Sequence, residues 1–284
     1  MINALSRAAV RSDGFRYGRP MKTRVRPVGE HLREWRQRRR LSQLDLACAA
    51  DISARHLSFL ETGRAQPSRE MVLHLAEELA VPVRERNSLL IAAGYAPVFP
   101  ERAMDDPAFA PIRAAVDMAL EAHRPFPAFA IDRRWDIVSS NGALPQLYIG
   151  VSEELLKAPV NAMRISLHPE GLAPRIVNLA EWRAHLLLRL RRQIDLTGDP
   201  ALIDLQRELE GYPATNEHAE APQELSIHDA VAVPFRFASA IGPLSFYSTT
   251  TVFGTPIDVT LSELALEFFY PADKATADKV KSVA

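Results

Sequence analysis

Four residues at helical spacing, Ala54, Arg55, Ser58 and Phe59, share one face of the short run 54–61. That face lies clear of an apolar seam expected from Leu44, Leu46, Leu57 and Leu60, beside the small Ala47 where two helices must cross closely. A guanidinium such as that of Arg55 can pair bidentately with guanine O6 and N7. Phe59 can touch a thymine methyl, or pack on a small helical core. His56 is a phosphate contact or a partly covered surface residue. Upstream, Ser42 and Gln43 open a helix whose terminus and side-chain amide can hold a phosphate. The chemistry on offer is recognition of a nucleic acid.

Charge is distributed in the same sense. Residues 1–40 carry twelve basic side chains, from Arg7 to Arg40, against Asp13, Glu30 and Glu34, a local charge of +9. The 284-residue chain as a whole is at −1; its first hundred residues sum to +7 and the remainder to −8. Either the first part meets a polyanion, or its basic arm is simply solvated.

Bond-breaking chemistry has no comparable signal. The chain holds no G-x-S-x-G, no G-x-x-x-x-G-K-[ST] and no H-E-x-x-H. His123, His168, His185, His218 and His228 are scattered without metal-ligand spacing. The expectation is a protein that is not an enzyme and carries no metal or cofactor. The single cysteine, Cys48, excludes an intramolecular disulfide framework and paired-cysteine zinc fingers. It is a redox sensor or, the preferred reading, a small buried filler. No run approaches 18 uncharged apolar residues, and the basic N-terminus lacks the apolar core of a secretory signal. Together these predict a cytoplasmic protein without a membrane partner.

The elements that would position these groups follow from periodicity. After a flexible arm over residues 1–26, helices are predicted over 28–39, 43–50, 54–61, 68–80 and 83–93, with Ser42 and Ser68 as N-caps and Gly94 just past the last. A proline-rich linker, with Pro97, Pro100, Pro107 and Pro111, spans 97–111. Strands are predicted over 127–131 and 135–139 around the turn Asp132-Arg133-Arg134, then short helices over 141–148 and 151–157. A long helix over 174–193 and another over 199–210 precede a polar loop over 211–222. Strands over 230–237 and 244–253, a closing helix over 261–270 and a polar tail over 273–284 complete the chain.

The segment Leu41-Ser42-Gln43-Leu44-Asp45-Leu46-Ala47 through Leu57-Ser58-Phe59-Leu60-Glu61-Thr62-Gly63-Arg64, within residues 27–96, resembles the XRE-type helix-turn-helix of phage repressors and Cro proteins. The resemblance implies that the third helix enters the major groove of double-stranded DNA, with Ala54, Arg55, His56, Ser58 and Phe59 towards the bases. It also implies phosphate contacts from Ser53, Arg64 and Arg69, an internal salt bridge between Arg36 and Glu61, and a homodimer on a palindromic operator.

Downstream, Phe129-Ala130-Ile131-Asp132-Arg133-Arg134-Trp135-Asp136-Ile137-Val138 with Asn141, then Asn161-Ala162-Met163-Arg164 and Glu181-Trp182-Arg183, resemble the C-terminal domain of MmyB-like regulators. This implies an α+β chain: a five-helix lambda-repressor-like DNA-binding domain, then over 112–272 a PAS-like antiparallel sheet with helices. The implied ligand is small and apolar or fatty-acyl-like. Between sheet and helices, Phe126, Phe129, Trp135, Trp182, Leu186, Phe235, Phe237 and Phe246 are candidate wall residues, though plain core is the preferred reading of each. Arg164 or His185 would meet a carboxylate head group. The competing readings are a second domain that docks a protein partner, or an enzyme that controls its own gene.

Overall fold

The structure, a computed structural model, describes residues 26–213, 232–254, 256 and 258–283. The expected arm before Arg26, the polar loop over 214–222 and the first two residues of the strand expected from Ala230 fall partly or wholly outside the described residues.

Five helices come first: α1 (Val28–Arg38), α2 (Gln43–Ala49), α3 (Ala54–Glu61), α4 (Arg69–Glu78) and α5 (Val83–Ala92). Ser42, Ser53 and Ser68 each cap a helix by accepting the backbone N–H three residues on. At α2 the Asp45 carboxylate returns the bond to the Ser42 N–H, closing a capping box. Leu32, Trp35, Leu46, Leu57, Leu60, Leu75 and Leu90 form a common core. Gly29 sits where α1 crosses α3; a Cβ there would stand 2.3 Å from the Leu60 carbonyl oxygen, so the approach needs glycine.

Two expectations are corrected in this part. Leu44 is 63% exposed and leaves the predicted seam, because α2 turns Leu46, Ala47 and Ala50 inward instead. Cys48 is exposed on the outer side of the same helix rather than buried.

The proline-rich stretch is a strap held to α5: the Asn87 amide donates to the Phe99 carbonyl and its oxygen accepts from the Val98 and Phe99 N–H groups. It ends sooner than predicted. A 3-10 turn at Pro107–Phe109 runs into α6 (Ala110–Ala122), with Pro111 in the first turn, where its missing N–H costs nothing.

The second part is built on five antiparallel strands, β1 (Ala128–Ile131), β2 (Ile137–Ser140), β3 (Phe235–Ser239), β4 (Gly242–Val252) and β5 (Ala265–Pro271), in the order β2-β1-β5-β4-β3. One sheet face is covered by α6, with Val116 and Leu120 against Ala128, Ala130 and Leu266. The other presents Phe129, Phe235, Phe237, Phe246 and Phe269 to α7 (Ala162–Leu167), α8 (Leu179–Thr197) and α9 (Pro200–Glu210). A short α10 (Val259–Ser262) precedes β5. The α+β expectation, five helices followed by an antiparallel sheet with helices, holds.

The predicted helix over 261–270 is wrong in kind: most of it is β5, which lies between β1 and β4. Both its faces are covered, Leu266 and Phe268 towards α6, Phe269 towards α8, so the alternation that marks a half-exposed strand is missing. The long helix starts later and ends later than predicted. Residues 173–175 form a 3-10 turn, Ile176 bridges to Phe237, and Gly198, at φ +67°, ends α8. The polar tail carries α11 (Lys274–Lys281), whose Thr276 hydroxyl accepts the Ser245 N–H of β4.

Candidate DNA interface and ligand cavity

The face of α3 is assembled by a buried ion pair beneath it. Glu61, at the end of α3, accepts two bonds from Arg36 of α1, at 2.6 and 2.9 Å, and one from the Gln43 amide of α2 at 2.8 Å. Arg36 also donates to the Leu41 carbonyl. One carboxylate thus ties together three helices and fixes the angle of the helix-turn-helix. Gln43 has its amide nitrogen committed to this job. Asp51, in the turn between α2 and α3, takes φ +50°, a conformation aspartate tolerates better than most residues.

Above this frame, Arg55 and His56 are exposed, while Ala54, Ser58 and Phe59 are half-buried. The guanidiniums of Arg55 and Arg64 lie 5.3 and 5.9 Å from the centre of the Phe59 ring. Phe59 is therefore a shared platform for two cations, which limits the side-chain freedom each would lose on binding an anion. Ser42, Ser53, Arg64 and Arg69 are exposed at the rim. Of the expected contact residues the structure groups Arg55, Phe59 and Arg64, while Gln43 points to Glu61. The hydroxyls of Ser42 and Ser53 are engaged as caps.

In the second part, a cavity of about 60 Å³ lies between the sheet and α7–α8. Of the expected wall residues, Phe129, Trp135, Trp182, Leu186 and Phe235 line it. Phe237 and Phe246 line a neighbouring groove of about 330 Å³ instead, and Phe126 borders neither. Leu147 belongs to both walls. Its carbonyl accepts a bond from Arg175, whose guanidinium lies 4.8 Å over the Phe237 ring.

The expected head-group partners stand elsewhere. Arg164 is held bidentately by Glu208 of α9, at 2.8 Å for both bonds. His185 stacks on Trp182 from outside the lining, and burial together with Arg189 pushes its pKa down. The charged groups that do line the cavity are Arg189 and Glu267, which sequence reading missed. Arg189 binds Glu267 through both terminal nitrogens and lies 4.8 Å over the Trp135 ring. Trp135 itself takes φ +69°, rare for so bulky a residue, and this backbone turns its ring towards Arg189 while its indole N–H donates to Gln193 at 2.7 Å.

The two parts meet at the end of α8. Arg39, past the end of α1, donates to the Asp195 and Leu196 carbonyls in the last turn of α8, and to the Leu79 and Ala80 carbonyls of its own domain. Arg84 of α5 forms a bidentate pair with Glu263, at 2.7 and 2.9 Å, and a second bond to Glu101. Arg133, in the β1–β2 turn, reaches Asp199 at 2.5 Å and Glu263 at 3.8 Å. Gln193 closes the path by donating to the Arg133 carbonyl. A continuous polar chain therefore runs from Trp135 at the cavity, through Gln193 and Arg133, to Glu263 and Arg84 of the helix-turn-helix.

Among the described residues, no group of three or more His, Cys, Asp or Glu could hold a metal ion, and no helix is long and apolar enough to cross a membrane. A helix-turn-helix domain family matches residues 27–89. The MmyB-like transcription regulator ligand binding domain family matches residues 112–282. The HTH-type transcriptional regulator DdrOP3 of Deinococcus deserti is 46% identical over 56 residues, 20% of this chain and 43% of that protein. The chain thus spans less than half the length of that relative. Among solved structures, an RNA-binding light-oxygen-voltage receptor is similar at 13% identity with a TM-score of 0.25, over 89% of this chain and 64% of that one; a likeness so distant adds nothing to the fold described above. The larger of the two family matches covers more than half of the chain, and its domain is joined here to a helix-turn-helix. The chain belongs to the family of the MmyB-like transcription regulator ligand binding domain, which it joins to a helix-turn-helix domain.

Proposed function

We propose that this regulator binds a palindromic operator as a homodimer and that a small apolar, fatty-acyl-like ligand in a PAS-like second domain changes its hold on DNA. The observation that carries the reading is α8. Its Trp182, Leu186 and Arg189 form one wall of the cavity, and its last turn receives Arg39 of the helix-turn-helix. A ligand that moves α8 acts on the DNA-binding domain only if it prefers one of the two arrangements. Arg55 reads a guanine; Ser58, Phe59, Ala54 and His56 adjoin the bases; Ser42, Ser53, Arg64 and Arg69 hold phosphates, with Gln43 kept on Glu61 in the frame beneath.

The test is selection of bound sites from random duplex DNA with wild type and Arg55→Ala. Wild type is expected to select inverted half-sites about one helical turn apart. Arg55→Ala is expected to lose about 1–3 kcal/mol at one base position while keeping salt-sensitive binding. An unchanged motif in the variant removes Arg55 from base reading.

Cavity size makes a second prediction. One water needs about 10–15 Å³ of such space. The 60 Å³ cavity therefore admits a short apolar group, and on this reading a chain displaces Leu147, common to both walls, to reach the 330 Å³ groove. Leu147→Ala is expected to tighten binding of dodecanol several-fold at a stability cost of about 2 kcal/mol. Titration followed by tryptophan fluorescence checks it, since Trp135 and Trp182 both line the cavity. Equal affinity in variant and wild type would show that Leu147 is no partition.

A further inference from the structure

We infer that the cavity selects amphiphiles with an uncharged polar head, such as an alcohol, amide or ester, over those with a free carboxylate. This rests on the reading that the cavity holds an apolar ligand, and it names the chemistry of that ligand's head.

The wall is mainly apolar, with Met163, Ile165, Leu186, Phe235 and Phe269 among its members; Tyr148 and Ser166, the latter accepting from the Trp182 indole N–H, bring hydroxyls to it, and its charged pair sits where α8 meets β4 and β5. There Ser248, Arg189 and Glu267 line the space together. The Glu267 side chain is 3% exposed and Arg189 23%. Glu267 Oε1 accepts from Arg189 at 2.6 Å and from the Thr250 hydroxyl at 2.7 Å, and Oε2 accepts a longer Arg189 bond at 3.3 Å. Thr250 in turn accepts from Arg189 at 2.8 Å. Thr250 itself is exposed.

Arg189 and Glu267 are the charged side chains of the wall among the described residues, and they cancel. A ligand carboxylate placed against Arg189 would also lie beside the buried Glu267 carboxylate. It would have to break the existing pair or suffer like-charge repulsion in a poorly solvated site. An ammonium meets the mirror-image problem at Arg189. A neutral head meets neither. Among the described residues, Oε2 of Glu267 has one long partner, Arg189, and the Ser248 hydroxyl makes no hydrogen bond. Between them they supply an acceptor and a donor, the pair that a hydroxyl or amide head group requires.

The experiment compares dodecanol, laurate and dodecylammonium, all below micelle formation, on wild type, Glu267→Gln and Arg189→Gln by tryptophan fluorescence. In wild type dodecanol is expected to bind most tightly. In Glu267→Gln the unpaired Arg189 should improve laurate relative to dodecanol by at least about tenfold. In Arg189→Gln the unpaired Glu267 should instead improve dodecylammonium. Circular dichroism checks that each variant is folded.

A laurate-to-dodecanol ratio that is the same in wild type and in folded Glu267→Gln overturns the inference, since any apolar pocket would then explain the preference. So does tighter binding of laurate than of dodecanol by wild type, a result that needs no variant. Failure of all three probes to bind wild type and Leu147→Ala overturns the ligand reading itself, and the inference with it.

Discussion

Glu61→Ala is expected to remove about 3–5 kcal/mol of stability from the helix-turn-helix and, with it, operator binding. The size follows from what the carboxylate does. Its side chain is 2% exposed, that of Arg36 10%. Truncation strands a buried guanidinium and releases the Gln43 amide, while Arg36 retains just its bond to the Leu41 carbonyl. Leaving one charge of a buried pair uncompensated is far costlier than removing both. The double variant Arg36→Met with Glu61→Leu should therefore recover most of the loss. Urea unfolding followed by circular dichroism measures all three proteins, with site-specific DNA binding in parallel. A loss under about 1 kcal/mol for Glu61→Ala would mean that the pair is dispensable and that Leu32, Leu57 and Leu60 alone set the angle between α1 and α3.

The helix-turn-helix was legible because its determinants are local. Ser42, Ser53 and Ser68 cap within three residues of themselves, and the inward leucines recur at helical spacing. Leu44 shows the limit: periodicity alone does not say which edge of a short helix is covered. The second part was legible as alternating strands where one face is solvated, as in β4, and illegible where both faces are packed, as in β5. The aromatic half of the cavity could be named because apolar strand and helix positions point between the layers. Its polar half could not. Arg189 and Glu267 stand 78 residues apart, and each reads in isolation as an ordinary solvated charge. Arg164 was attractive because it falls in a motif, yet α9 supplies Glu208 to occupy it. The contacts between the parts, through Arg39, Arg84 and Arg133, join residues from distant segments and leave no periodic trace.

Those contacts carry the second large effect. Arg84→Glu is expected to detach the helix-turn-helix from the ligand-binding part at a cost of about 2 kcal/mol or more. It replaces a bidentate pair by three carboxylates, Glu263 and Glu101 among them, in one place. Both partners of the Arg84–Glu263 pair are largely covered, with side chains 24% and 20% exposed, so solvent screens the repulsion poorly. Among the described residues, the hydrogen bonds from the helix-turn-helix to α8 are then those of Arg39, two long bonds of 3.4 Å. Calorimetry should resolve two unfolding transitions where wild type shows one, and the strap around residues 100–106 should become sensitive to protease. Affinity for operator DNA should persist, because α3 and its buried frame are untouched, but it should no longer respond to dodecanol. Adding Glu263→Arg restores opposite charges across the contact and should restore both the single transition and the response. A charge-reversed protein that melts as one unit and still answers to the probe would place the coupling elsewhere, in Arg39 and the last turn of α8, since that is, among the described residues, the remaining polar contact between the helix carrying Arg189 and the domain carrying Arg55.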